Sequence, residues 1–120
     1  MQLWVTIIYK HQNNTFLKGS IPWMAPEVLQ QTKNGKKADI WSFGCVLIEL
    51  ITGKMPWYNL KFENPIAAIM KIATSNEIPE IGVPISESFK DFIGKCLCRE
   101  REKRWSVDQL LEHDFLRERE

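Results

Sequence analysis

The sequence lacks an excess of charge of either sign. Its 120 residues contain 16 Lys and Arg against 15 Asp and Glu, and the net charge at pH 7 is +1. The two signs are interleaved along the chain. Because nucleic acids and anionic membrane surfaces attract blocks of basic residues, this balance argues against either as a partner. The sequence also contains no internal repeat and no low-complexity segment.

Long apolar runs are missing as well. Residues 3–9 are mostly apolar, but a membrane-spanning helix needs about 20 such residues. No Lys or Arg precedes this run, as a secretory signal would require. We therefore expect no membrane association and a cytoplasmic protein.

Cysteine is scarce, and its spacing excludes the common metal sites. The chain has three cysteines, Cys45, Cys96 and Cys98, and neither of its two histidines lies near them in the sequence. This arrangement matches no metal-ligand pattern, so we predict no metal site. An odd number of cysteines in a chain of this kind predicts a reducing compartment with free, buried thiols.

What the sequence does contain is a strongly apolar stretch at residues 39–52. Apolar side chains lie on almost every face of a helix drawn over it: Ile40, Trp41, Phe43, Val46, Leu47, Ile48, Leu50 and Ile51. A helix that is apolar all round must be surrounded by protein, so this helix is predicted to be the core. Gly53 and Pro56 predict its end. Before it, residues 26–31 predict a short helix and residues 32–37 a polar loop.

Three further helices are predicted after residue 60. Asn64 followed by Pro65 is typical of a helix start, and the apolar stripe that follows is Ile66, Ile69, Met70 and Ala73. Residues 78–85 predict an irregular connection, because they contain two prolines and a glycine.

Ser86 is a plausible cap for the next helix, whose apolar residues follow helical spacing: Phe89, Phe92, Ile93, Cys96 and Leu97. Ser106 and Gln109 have the spacing of a capping box, which predicts a final helix over residues 107–116. The predicted fold is therefore mainly α, with about five helices around the central helix at residues 39–52.

Two strings of residues carry a resemblance to a known family. They are Gly19-Ser20-Ile21-Pro22-Trp23-Met24-Ala25-Pro26-Glu27 and Asp39-Ile40-Trp41-Ser42-Phe43-Gly44. The first contains the Ala-Pro-Glu that closes the activation segment of protein kinases, and the second resembles the start of their buried central helix. Over residues 17–116 the chain resembles the C-terminal part of a Ser/Thr protein kinase catalytic domain, a partial kinase C-lobe.

The motifs that carry the chemistry of that family are absent from the sequence. These are the Gly-rich loop, the strand lysine, the His-Arg-Asp catalytic loop and the Asp-Phe-Gly metal motif. We therefore assign no catalytic, cofactor-binding or metal-binding residue, and we predict that the chain alone is inactive. ATP and Mg²⁺ are expected only for a full-length parent of the family.

The resemblance assigns four residues to the loop that receives the substrate residue after the phosphorylated one: Gly19, Ser20, Trp23 and Met24. In the family the hydroxyl at the position of Ser20 bonds the catalytic aspartate and lysine. Those partners are missing here, which favours a solvated loop hydroxyl for Ser20. Trp23 has an equally good alternative interpretation as an anchor for the loop.

A structural ion pair is also implied. In the family the glutamate at the position of Glu27 pairs with an arginine near the end of the domain, and Arg104 stands at that arginine's place. Trp105 departs from the family pattern, in which a proline follows the arginine. The alternative interpretation is two exposed charges that contribute under about 1 kcal/mol.

Asp39 resembles the aspartate at the start of the central helix, whose carboxylate bonds the catalytic loop in the family. Without that loop, a carboxylate that favours the helix dipole is the better description. Thr15 lies where related kinases carry an activating phosphorylation site, although a surface threonine is the simpler interpretation. Residues 1–14 fit nothing in the kinase pattern, so we expect a foreign or divergent N-terminal segment there and a kinase-like domain over residues 15–120.

Further residues narrow the resemblance to the kinases that phosphorylate other kinases, the MAP kinase kinase kinase branch: Gly44, Cys45, Glu49, Thr52, Gly53, Lys54, Pro56 and Trp57. A protein substrate or a partner kinase is then implied as the partner. The first hypothesis is a fragment of a Ser/Thr kinase domain. The alternatives are a non-catalytic, pseudokinase-like module that binds a partner kinase, and a truncated product without a stable fold.

Overall fold

The computed structural model describes residues 21–30, 35–60 and 64–117. These residues form six α-helices and two 3₁₀ turns, and they contain no strand. The helices are α1 (Pro26–Leu29), α2 (Lys36–Thr52), α3 (Pro65–Thr74), α4 (Glu87–Cys96), α5 (Val107–Leu111) and α6 (Asp114–Arg117). The predicted fold class, mainly α around a central helix, is confirmed.

Helix α2 is the central element, and it begins earlier than predicted. It starts at Lys36 and not at residue 39, after Gly35, whose φ is 128°. The prediction failed because the first helical turn is polar and carries no apolar periodicity. The predicted end is confirmed, since Gly53 adopts the left-handed conformation (φ 74°) and its N–H donates to the carbonyl oxygen of Glu49. Glycine adopts this conformation without the steric penalty of a side chain.

Helix α2 is buried at every position from Ile40 to Cys45, and its exposure rises after Ile48. Trp41, Cys45 and Ile48 are fully buried, whereas 60% of Leu50 is exposed. Helix α4 packs across α2, where the rings of Phe43 and Phe92 meet edge to face at 6.4 Å. The predicted shielding on all sides is therefore correct for most of the helix and wrong at its C-terminal turn.

Helix α3 packs on α1, and only part of its predicted apolar stripe is covered. The cap is as predicted, because Asn64 Oδ1 accepts a hydrogen bond of 2.8 Å from Ala67 N–H. The buried residues, however, are Ala68, Ile72 and Ala73. Of the predicted apolar stripe, Ala73 is buried and Ile69 packs partly buried against the core, whereas Ile66 and Met70 lie exposed. The helix has apolar residues on two faces, so the sequence alone could not decide which one is covered.

Helix α4 confirms its predicted cap and its predicted apolar stripe. Ser86 Oγ accepts a hydrogen bond of 3.1 Å from Phe89 N–H. Phe92, Ile93 and Cys96 are buried. Cys45, Cys96 and Cys98 are all free thiols, as expected, and Cys98 is only partly buried. Burial raises the pKa of Cys96 to about 12, which keeps this thiol protonated at neutral pH.

The predicted final helix is two helices. Its start is confirmed, since Ser106 and Gln109 form the capping box with hydrogen bonds of 3.3 and 2.8 Å. The chain then leaves the helix after α5, because His113 Nδ1 accepts a hydrogen bond from the backbone N–H of Phe115 at 2.9 Å. The other ring nitrogen, Nε2, lies 2.7 Å from Asp91 Oδ2. The buried imidazole therefore fixes the break between α5 and α6.

Candidate functional site

The segment just before α1 is held tightly against α2. Residues Ile21–Trp23 form a buried 3₁₀ turn. Trp23 Nε1 donates to Glu49 Oε1 at 3.0 Å, and Ser42 Oγ donates to the Trp23 carbonyl oxygen at 2.7 Å. The structure thus places Trp23 as an anchor and leaves Met24 partly exposed beside it. Three other predicted site residues, Thr15, Gly19 and Ser20, lie outside the described residues.

Glu27 and Arg104 are brought together although 77 positions separate them in the chain. Arg104 Nη1 lies 2.8 Å from Glu27 Oε2, and Nη2 lies 3.0 Å from Oε1. The side chain of Arg104 is fully buried, and only 9% of the Glu27 side chain is exposed. Two parallel hydrogen bonds of this kind fix the relative orientation of the two groups as well as their distance.

Backbone carbonyl groups accept two further hydrogen bonds from Arg104. Nε donates to the carbonyl oxygen of Cys98 at 2.8 Å, and Nη1 also donates to that of Lys37 at 2.7 Å. The guanidinium stacks 5.3 Å from the ring centre of Trp41. Lys37 Nζ in turn donates to the carbonyl oxygen of Arg104 at 2.5 Å. The pair therefore joins α1, the first turns of α2 and the loop before α5.

Asp39 lies in the first turn of α2 and is half-buried. Its carboxylate makes no hydrogen bond to any other residue in the described part of the chain. Burial raises the pKa of Asp39 above its ordinary value. The structure thus places this carboxylate where ionisation is disfavoured, and it does not bring Asp39 into hydrogen bonding with the pair of Glu27 and Arg104.

Sequence reasoning missed a polar cleft next to the ion pair. Its volume is about 430 Å³, and it lies between α1, the end of α3 and the turn at residues 99–102. Arg99 lines it and donates to the carbonyl oxygens of Glu77 at 2.7 Å and Ile72 at 2.5 Å. No local pattern could have indicated this cleft, because its walls come from three separate parts of the chain.

The outer face of α3 carries the other unpredicted feature. The exposed fraction is 71% for Ile66 and 58% for Met70, which are four residues apart and share one face of the helix. Among the described residues, no three His, Cys, Asp or Glu side chains are grouped so that they could hold a metal ion. No helix in those same ranges is long and apolar enough to cross a membrane.

Comparison with known proteins gives a consistent result. The family model for the protein kinase domain matches residues 5–116. The match includes part of the N-terminal segment, whose boundary at residue 14 stays a prediction. The chain is 40% identical over 100 residues to mitogen-activated protein kinase kinase kinase 18 of Arabidopsis thaliana, covering 83% of this chain and 30% of that protein.

Two further relatives carry the same kind of name. Identity is 46% over 100 residues to mitogen-activated protein kinase kinase kinase 2 of Arabidopsis thaliana, and 43% over 101 residues to mitogen-activated protein kinase kinase kinase A of Dictyostelium discoideum. Each alignment covers 83% of this chain, but only 15% and 10% of the relatives. The chain therefore spans less than a third of the length of these proteins.

Proposed function

Because the chain belongs to the protein kinase domain family, we propose that it forms the substrate-binding end of a Ser/Thr kinase catalytic domain. The parent reaction is transfer of the γ-phosphoryl group of ATP to a Ser or Thr of a protein, and the relatives' names favour a downstream kinase as the substrate. The chain's three free thiols favour a reducing compartment, and we propose the cytoplasm.

One observation carries this proposal: the residues before α1 are fixed on the central helix. Trp23 is anchored through both its indole N–H and its carbonyl oxygen, and Met24 is presented beside it. Enzymes position a substrate with groups that are already in place before it binds, since ordering them during binding would cost free energy. A fixed segment with a partly exposed apolar side chain suits the recognition of an extended peptide.

No residue of this chain is assigned to ATP or Mg²⁺. Phosphoryl transfer needs metal ions that bridge the phosphates, a lysine that contacts them and a carboxylate that positions the attacking hydroxyl. In the family these groups come from motifs that the sequence lacks. What the chain's own residues supply is the buried support for the peptide-binding segment, through Glu27 and Arg104.

We expect the 120-residue chain by itself to bind no ATP and to transfer no phosphate. Calorimetric titration with ATP and Mg²⁺ tests the first statement, and a phosphate-transfer assay on a downstream kinase tests the second. The complete catalytic domain of one of the relatives serves as the positive control. Micromolar affinity for ATP together with turnover by the chain alone would show that the assignment is wrong.

The exposed face of α3 favours a second candidate, a non-catalytic module that binds a partner kinase. Ile66 and Met70 form an apolar pair on an otherwise solvent-facing surface, and paired apolar residues of this kind are typical of helix-mediated recognition.

A pull-down of the chain by a downstream kinase tests this candidate with two variants and one control. Ile66→Ser and Met70→Ser should weaken binding, whereas Leu50→Ser, which changes an equally exposed leucine on α2, should not. Equal effects of all three substitutions would indicate non-specific hydrophobic association instead.

A further inference from the structure

The cleft beside the ion pair contains more positive charge than its surroundings neutralise. We call it the arginine cleft; it is lined by Pro26, Ala73, Asn76, Arg99, Arg101 and Glu102, among others. Its volume of about 430 Å³ lies within the range of roughly 300–1,000 Å³ that is typical of ligand sites. It is therefore large enough to hold a small ligand or one side chain of a bound peptide.

Arg101 is the residue in this cleft whose bonding is incomplete. Its Nε is buried and makes no hydrogen bond to any described residue. Its guanidinium forms no ion pair with a carboxylate in the described ranges, in contrast to the neighbouring Lys103, which lies 3.2 Å from Glu100. Because the side chain is only partly buried, its terminal N–H groups and its full charge remain open to an anion in the cleft.

Arg99 adds a second positive charge with no carboxylate bound to it. Among the described residues its guanidinium donates to the carbonyl oxygens of Ile72 and Glu77, which carry only partial charge. Burial lowers the pKa of Arg99 below its ordinary value, the charge of Arg104 adds to this effect, and the nearby Glu77 carboxylate opposes it. An anion in the cleft would offset the repulsion between the positive charges of Arg99 and Arg104.

The charges of the lining favour an anion with more than one negative charge. Glu27 is neutralised by Arg104. This leaves two guanidinium groups, on Arg99 and Arg101, against one exposed carboxylate, on Glu102. A phosphorylated side chain has a charge of roughly −1.5 to −2 and three acceptor oxygens, and arginine binds such a group through two parallel hydrogen bonds.

We propose that the arginine cleft binds the phosphoryl group of a phosphorylated protein side chain, which accepts hydrogen bonds from the terminal nitrogens of Arg101. Arg99 contributes charge from the wall of the cleft, and the Asn76 side chain at the rim is a further donor. The proposal does not rest on the kinase activity of the parent domain, because neither Trp23 nor Met24, which belong to the proposed peptide-binding segment before α1, lines the cleft.

The test is a titration of the ¹⁵N-labelled full chain, followed by the Nε–Hε signal of Arg101. The probes are a short peptide with a phosphoserine between two glycines, the same peptide without phosphate, and inorganic phosphate, all at constant ionic strength. We expect a saturable shift of this signal with the phosphopeptide and none with the unmodified peptide. Equal affinity for inorganic phosphate would overturn the assignment to a side chain.

Three variants of the chain are expected to change the affinity for the phosphopeptide in three different ways. Arg101→Gln should weaken phosphopeptide binding at least about ten-fold, since a hydrogen bond to a charged group contributes on that order. Lys103→Gln removes the same charge from an exposed position outside the cleft and should change the affinity by less than about two-fold, because exposed charges are screened. Glu102→Gln removes the one carboxylate among the described lining residues that forms no ion pair there, and it should tighten binding about two- to five-fold.

Two results would refute the proposal. An equal loss in Arg101→Gln and Lys103→Gln would show general electrostatic attraction, and a titration without saturation would show no site at all. If Arg101→Gln does not fold, the Arg101 signal in the unmodified chain and the effect of Glu102→Gln still decide the matter.

Discussion

Replacing Glu27 by alanine leaves the Arg104 guanidinium buried without its carboxylate. The structure shows what would remain. Arg104 keeps its hydrogen bonds to the carbonyl oxygens of Cys98 and Lys37 and its contact with the Trp41 ring. Its charge, however, would have no counter-charge in a side chain that is fully shielded from water.

Removing one partner of a buried pair costs about 3–5 kcal/mol, because the other charge is left uncompensated. Since carbonyl groups still solvate Arg104 in part, we expect about 3 kcal/mol for Glu27→Ala, near the lower end of that range. Arg104→Ala should cost a similar amount, because the buried Glu27 carboxylate loses both hydrogen bonds from the guanidinium and its counter-charge. A domain of this size has a total stability of about 5–15 kcal/mol, so either loss is large.

Urea denaturation of the single and double variants measures the effect. In a double-mutant cycle, the coupling between Glu27 and Arg104 should be well above zero, up to about 3 kcal/mol. The exposed pair of Glu100 and Lys103 is the matched control, and either alanine variant there should cost under about 1 kcal/mol. A loss below about 1 kcal/mol for Glu27→Ala, or a cycle without coupling, would refute the reasoning.

Three further predictions concern α2 and α4. Trp41→Ala should cost about 3–5 kcal/mol in urea denaturation, whereas Leu50→Ala at the exposed end of the same helix should cost under about 1 kcal/mol; similar losses would contradict the observed packing. Gly44→Ala should lower Tm, because a Cβ there would lie 2.9 Å from the Cβ of Cys96, while Gly94→Ala, with nothing within 4 Å, should gain up to about 1 kcal/mol in helix propensity. A rise in Tm for both alanine variants would refute the close approach. Asp39→Asn should raise Tm at neutral pH. Burial raises the pKa of Asp39, so ionisation of this carboxyl group destabilises the folded wild type as the pH rises through the raised pKa, and asparagine avoids that loss. The gain should vanish below the ordinary pKa of about 3.9, and parallel curves of Tm against pH would contradict it.

The features of the fold that were predicted correctly depend on groups close together in the chain. The capping box of Ser106 and Gln109, the Asn64 cap and the left-handed Gly53 each involve hydrogen bonds between residues only a few positions apart. Local geometry determines such bonds, so residue type and spacing are sufficient to predict them.

The predictions failed where contacts with residues distant in the chain determine which face of a helix is buried or where a helix begins. Helix α3 has two apolar faces, and packing on α1 covers the one with Ile72 and leaves Ile66 exposed. The polar first turn of α2 is helical, and Lys37 there donates to the carbonyl oxygens of Arg101 and Arg104. Contacts of this kind do not follow from periodicity, which describes one element at a time.

The candidate site divides in the same way. The sequence determined which residues take part in the ion pair, because the order and spacing of Glu27 and Arg104 match a family pattern. Only the tertiary structure decided how deeply the pair is buried and that the arginine cleft exists beside it. Burial and charge balance are properties of the space between elements, and Arg99 and Arg101 are ordinary loop residues until α1 and α3 enclose them.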